Sequence, residues 1–98
     1  MIAFLTGILK FRGATHVVVD VAGVGYQVFV SLESLSHLPP EGETISLFVS
    51  TIVRENEISL YGFSMETERE IFQKLITVTG IGPRTAIAIL SGLPNQSL

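Results

Sequence analysis

The residues best suited to chemistry stand together at Gly80-Ile81-Gly82-Pro83-Arg84, a Gly-x-Gly-Pro-Arg run between two apolar stretches of helical spacing. Gly80 can take φ > 0 at the end of the first helix, a conformation that is strained for a residue with a Cβ. Gly82 leaves the backbone uncovered, and Pro83 suits the first position of the second helix, where its missing N–H would have no partner. The run therefore predicts a helix N-terminus with free N–H groups beside the cation of Arg84, an arrangement that attracts phosphate. The same residues also suit an ordinary tight link between packed helices, with Gly and Pro serving geometry alone, and the run by itself does not choose. The small Ala86, followed by apolar Ile87, Ile89 and Leu90, makes the pattern more specific, because it lets two short helices approach closely.

A second charged group, Arg54-Glu55-Asn56-Glu57, reads as a turn between two strands, where acids are most often simply solvated. Tyr26, Tyr61 and Phe63 have rings that can stack on bases, but core or interface packing is the favoured role. His16 and His37 stand apart in the sequence. No metal, no cofactor and no catalytic function is assigned to them.

Positioning these groups falls to a chain whose first two thirds alternate. Ile2 to Leu9 predicts a first strand bent or bulged at Gly7. Arg12-Gly13-Ala14 makes a turn, and Thr15, Val17, Val19 and Val21 alternate with His16, Val18 and Asp20 in a second strand. After the turn 22–25, Tyr26, Val28 and Val30 form a third. Ser31 can cap a short helix over Leu32–Leu38, which Pro39-Pro40-Glu41-Gly42 stops. Thr44–Val53 is the longest strand, apolar on both faces, and Ile58–Phe63 closes a barrel of about five strands. Ser64 then opens a helix with Glu66 and Glu68 in its first turns. Its stripe of Ile71, Phe72, Leu75 and Val78 is expected to pack on the helix beyond the hairpin. Gly92 ends that second helix, and Pro94–Leu98 looks like the approach to a further one, so the chain is expected to be part of a longer protein.

The chain has 98 residues, 47% of them apolar, enough to bury one compact core. With no cysteine, disulfides and thiolate metal sites are excluded. The start lacks a secretory pattern and no apolar run is long enough to span a membrane, so a soluble, cytoplasmic protein is expected. A net charge of −3 and a pI near 5.2 exclude a nucleic-acid binder that works through a general basic field. They leave room for contact-range binding through a helix N-terminus and a few cations, namely Arg84 with Lys74 or Arg69.

Four blocks carry a resemblance: Gly23-Val24-Gly25-Tyr26, Val53-Arg54-Glu55, Leu60-Tyr61-Gly62-Phe63, and Gly80-Ile81-Gly82-Pro83 with Ala86 to Gly92. Their order and spacing resemble the RuvA family, Holliday-junction-binding subunits of the bacterial branch-migration machinery, over the whole chain. The last block alone resembles the helix-hairpin-helix motif, which grips a nucleic-acid backbone without reading bases. The resemblance implies a mostly β fold with α: an N-terminal OB-fold barrel over residues 1–63, serving oligomerisation and the junction centre, and the first, incomplete helix-hairpin-helix of a DNA-binding domain over 64–98. It implies a homotetramer that holds four-way junction DNA open and flat in recombination and repair. Delivery to the RuvB ATPase would use a C-terminal domain that these 98 residues do not include, and no intrinsic catalysis is implied.

By the same resemblance, Gly80, Gly82 and Arg84 bind backbone phosphates, and Glu55 and Glu57 form an acidic pin that repels phosphates at the crossover. Arg54 either sets the pin by pairing with a carboxylate or contacts DNA itself. One departure is visible: the family's acidic turn usually carries adjacent acids, whereas Asn56 splits the pair here. Two other classes stand beside this reading. An oligomerisation scaffold would bind little DNA of its own. A glycosylase carrying the same hairpin would need an Asp or Lys after it, and residues 85–98 contain neither.

Overall fold

The alternating stretches become five strands, β1 (Phe4–Arg12), β2 (His16–Val21), β3 (Val24–Val30), β4 (Thr44–Val53) and β5 (Ile58–Phe63). In the computed structural model, which describes residues 1–92, they close into a barrel in the order β1-β2-β3-β5-β4. Every neighbouring pair is antiparallel except β3 and β5. This mostly β, five-stranded closed arrangement is consistent with an OB fold. The period-2 apolar residues point inward, so Val17, Val19, Val28, Ile45, Leu47 and Val49 are all buried in one core.

The bend expected at Gly7 falls elsewhere. The register of β1 against β2 shifts between Leu9 and Phe11, and Gly7 instead pairs with Ile45 of β4. A Cβ there would lie 2.4 Å from the backbone oxygen of Asp20, so glycine serves the close approach of strands and not a kink. The bulge lets β1 continue to Arg12, a residue the sequence places in a turn. Its guanidinium donates to the carbonyls of Leu35 at 2.8 Å and Leu38 at 3.3 Å, at the end of α1 (Leu32–Ser36), where unpaired carbonyls favour a cation. Ser31 caps the start of α1 as expected, accepting from the Ser34 N–H at 3.0 Å.

The second helix, α2 (Glu66–Leu75), begins after Met65 and not at Ser64, and Met65 makes no side-chain capping bond. The Ser64 N–H is already committed to the Ser34 hydroxyl at 3.1 Å. The Glu68 carboxylate accepts from the Ser31 hydroxyl at 2.9 Å and the Ser34 hydroxyl at 2.6 Å, tying α2 to α1 through two buried serines. Arg69 donates to the Ala3 carbonyl at 2.9 Å and lies 5.5 Å from the Phe48 ring centroid, while Gln73 donates to Ser50 at 2.9 Å. Thus α2 covers the outer face of β4, which explains why that strand is apolar on both sides.

Its apolar anchor is Phe72, fully buried against Tyr61 and Phe63 at centroid distances of 5.2 and 5.0 Å. The expected four-residue stripe is only partly used. Ile71 and Val78 are 46% and 51% exposed, because the helix faces the barrel through Phe72 and ends at Leu75, before Val78 is reached. The last helix, α3 (Pro83–Gly92), adds Ala86 and Leu90 to the same cluster. Ser91 then accepts from the Leu32 N–H at 2.9 Å. The expected approach to a further helix at Pro94–Leu98 lies outside the described residues.

The serine clamp sets a stability test. Glu68→Ala leaves two buried hydroxyls short of an acceptor and is expected to lower unfolding free energy by about 1–3 kcal/mol. Glu66→Ala removes only a pair with Arg69 in which the carboxylate is solvent-exposed and should cost about 1 kcal/mol or less. Urea titrations of both variants check this, and equal losses would mean that the clamp contributes nothing special.

Candidate nucleic-acid interface

Two turns meet at one end of the barrel. In the β4–β5 turn, the Arg54 N–H donates to the Glu57 carbonyl at 2.8 Å, which closes the loop, and the Glu57 carboxylate accepts from the Ser59 hydroxyl at 2.8 Å. In the link from α2 to α3, Gly80 takes φ +90°, as its place after a helix predicts, and the Ile81 N–H returns to the Val78 carbonyl at 3.0 Å. The Gly82 carbonyl accepts from the Ala86 N–H at 2.9 Å, so α3 starts there, with Pro83 at its first position. The N–H groups of Arg84 and Thr85 are left without an intrahelical acceptor.

Between these turns lies a cleft of about 240 Å³, lined by Arg54, Glu57, Tyr61, Gly82, Arg84 and Thr85 among others. Arg54 reaches across to the hairpin: a Cβ on Gly82 would stand 3.7 Å from its Nη2. The Arg84 guanidinium is held 5.0 Å from the centroid of the Phe29 ring. Phe29 stacks on Tyr61 at 5.4 Å, and Tyr61 on Phe72, so Arg84 rests on an aromatic wall fixed from behind. The cleft thus gathers two guanidinium groups, helix N-terminal N–H donors and a phenol, with one carboxylate at its rim. Donors and cations of these kinds are suited to an anion of phosphate size.

Four sequence-predicted residues, Arg54, Glu57, Gly82 and Arg84, are brought together here. Gly80 and Glu55 are exposed and outside the lining of the cleft, Glu55 in the β4–β5 turn. Arg69, considered as a contact-range cation, is used by the fold, with its side chain only 18% exposed. The expectation of packing for Tyr61 and Phe63 matches their burial, but the cleft-facing role of Tyr61 and the support from Phe29 are not in that expectation. The signal that finds them is the parallel register of β3 and β5, which sets Phe29 beside Tyr61. Among the described residues, no group of three His, Cys, Asp or Glu side chains is placed to hold a metal ion, and no helix is long and apolar enough to cross a membrane.

Residues 1–62 match the model of the RuvA N-terminal domain. The chain belongs to that family. It is similar to proteins named Holliday junction branch migration complex subunit RuvA: 50% identical over 98 residues to that of Anaeromyxobacter sp. (strain Fw109-5) and 46% over 98 residues to that of Syntrophobacter fumaroxidans, each covering all of this chain and 50% of the relative. The counterpart from Caldanaerobacter subterraneus is 38% identical over 97 residues, 99% of this chain and 52% of the relative. The chain therefore spans about half the length of the curated relatives it matches. The family match ends at residue 62, so the hairpin side of the cleft lies in the part supported by the relatives alone.

The Tyr61 phenol reports on the cleft. Burial raises its pKa above 10.0; Arg84 opposes the rise, Glu57 adds to it, and Arg54 opposes it. An ultraviolet titration of the Tyr26→Phe background is expected to show Tyr61 ionising above pH 10, later still with Arg84→Ala and earlier with Glu57→Gln. Because the folded pKa is the higher one, the stability it contributes is whole below pH 10 and is lost as pH climbs toward the folded value. No response to either charge change would mean that these groups do not share a site.

Proposed function

We propose that this chain is the N-terminal part of a non-catalytic, structure-specific subunit that binds four-way junction DNA and serves the RuvB ATPase in branch migration. The observation that carries this reading is the convergence of Arg54, Arg84 and the N-terminus of α3 on one cleft, in a member of the RuvA N-terminal domain family. Phosphate contacts position a protein on DNA without reading sequence, so selectivity would come from junction shape. In this reading residues 1–63 are an OB-fold domain and residues 64–98 begin a helix-hairpin-helix domain, with Gly80, Gly82 and Arg84 holding backbone phosphate. The protein works in the cytoplasm as a homotetramer. Val53 and Ile58, paired across β4 and β5 and 56% and 70% exposed, offer apolar surface for assembly beside the turn. Glu55, exposed in that turn, is the pin that opposes phosphates at the crossover.

Two titrations of the intact protein test this. Arg84→Ala is expected to weaken binding to a synthetic four-way junction about equally for all base sequences, and to lower the salt slope by up to about 0.9 per protomer. Stability should shift by no more than about 1 kcal/mol, the worth of an exposed cation over a ring. Wild-type affinity and slope at every salt concentration would remove Arg84 from the phosphate ligands and leave an assembly scaffold as the better account.

Glu55→Gln should raise affinity for plain duplex more than for the junction, since it deletes a charge that faces phosphate while keeping the side chain's size. Equal shifts for the two substrates would make Glu55 an ordinary solvated residue.

A further inference from the structure

We infer that the cleft is a single phosphate subsite assembled from both halves of the chain, in which the Tyr61 hydroxyl donates to the same phosphodiester that Arg54 and Arg84 share. The inference rests on the proposed DNA binding and specifies which atoms perform it. Tyr61 is only 4% exposed, its ring fixed between Phe29 and Phe72, yet it lines the cleft. Its hydroxyl has no hydrogen-bond partner among the described residues and is not itself fully buried, so it is open to the cleft that Tyr61 lines. A donor placed this way can meet an arriving acceptor without giving up a bond inside the protein. Burial also keeps the phenol protonated at neutral pH, so a donor is what it presents.

The cations come from opposite sides. Arg54 extends from the β4–β5 turn until its guanidinium meets the Gly82 position, and Arg84 leans on Phe29 from the first turn of α3. A cleft of about 240 Å³ has room for one phosphodiester group between them. The unpaired N–H groups of Arg84 and Thr85 border the same space. Glu57, steadied by Ser59, stands at the rim as the internal anion that a phosphate must face, which moderates affinity without filling the site.

The test uses the intact protein and a fluorescent four-way junction titrated over a salt series. Tyr61→Phe keeps the ring stack and is expected to weaken binding about tenfold for each protomer that contacts the junction, the worth of one hydrogen bond to a charged acceptor. Its salt slope and melting midpoint should stay at the wild-type values, because a neutral donor releases no counterion. Arg54→Ala with Arg84→Ala together should lower the slope by about 0.9 per protomer, the value for one phosphate, and not by about 1.8. A double-variant loss near 1.8 would mean two separate phosphates and overturn the shared subsite. Unchanged affinity in Tyr61→Phe, with Arg84→Ala weakened, would also overturn it while leaving the proposed function standing. If neither arginine variant changed binding, the DNA-binding reading itself would fall. Should Tyr61→Phe alter the melting midpoint, the slope of the double arginine variant decides alone.

Discussion

The structure depends on one aromatic stack. Phe29, Tyr61, Phe72 and Phe63 succeed one another at 5.0–5.4 Å between ring centroids, and they come from β3, β5 and α2. A barrel with its core inside has no intrinsic reason to carry helices on its outer wall. This one does because Tyr61 and Phe63 turn outward from β5 and supply the apolar surface that Phe72, Ala86 and Leu90 cover. The alternation of β5 divides its residues between two cores. Leu60 belongs to the barrel interior and Tyr61 to the outer cluster, while Gly62 takes the inner position where a Cβ would come within 2.5 Å of Val28. The same wall then carries the Arg84 guanidinium at its open end. Fold and site therefore share one support, and the hydroxyl of Tyr61 is located by packing chosen for its ring.

Local pattern made the strands readable, and pairing decided what pattern could not. Val17 to Val21 and Thr44 to Val53 alternate without ambiguity, and the turns carry their own punctuation, so the barrel was legible. The turn expected over 22–25 narrows to Ala22-Gly23, because Val24 and Gly25 already pair with Val21 and Asp20. The bulge in β1 was not. Gly7 looked like the interruption, but the need for glycine there comes from the backbone of Asp20 on the neighbouring strand, a contact that exists only once β1 and β2 pair. Likewise the backbone just before α2 is tied by the Ser34 hydroxyl, thirty positions away along the chain, which takes the Ser64 N–H. The stripe of Ile71, Phe72, Leu75 and Val78 had helical spacing, yet only the part opposite β5 found a surface.

The site shows the same division. Gly-x-Gly-Pro-Arg is a local conformational instruction, and Gly80 at φ +90° with α3 opening at Gly82 follows it. What the sequence could not express is that Arg54 and Glu57, some thirty residues earlier, border the same cleft as Gly82 and Arg84. That juxtaposition depends on how the helices seat on the barrel, hence on the aromatic stack and the Glu68 clamp. It also separates two acids that look equivalent in sequence. Glu55 is outside the lining of the cleft and exposed, whereas Glu57 lines it and is held by Ser59, so Asn56 lies between carboxylates in different electrostatic surroundings.

An acidic chain can still hold phosphate if its few cations are not spent evenly. Of the six Lys and Arg residues, Arg12 is bound to the carbonyls at the end of α1, Arg69 to Ala3 and Glu66, and Lys10 stands 3.9 Å from Asp20. That leaves Arg54, Lys74 and Arg84, and two of these three line one cleft. The net charge of −3 is a property of the whole surface, felt at distances beyond the screening length of about 8–10 Å only weakly. Contacts at hydrogen-bond range are governed by the two guanidinium groups, the helix N-terminus and the phenol. The long-range field then disfavours indiscriminate attraction to any polyanion, while the cleft supplies affinity only where a backbone is presented in the right place. For a protein proposed to recognise the shape of a junction and not its charge density, low general attraction and concentrated local attraction work in the same direction.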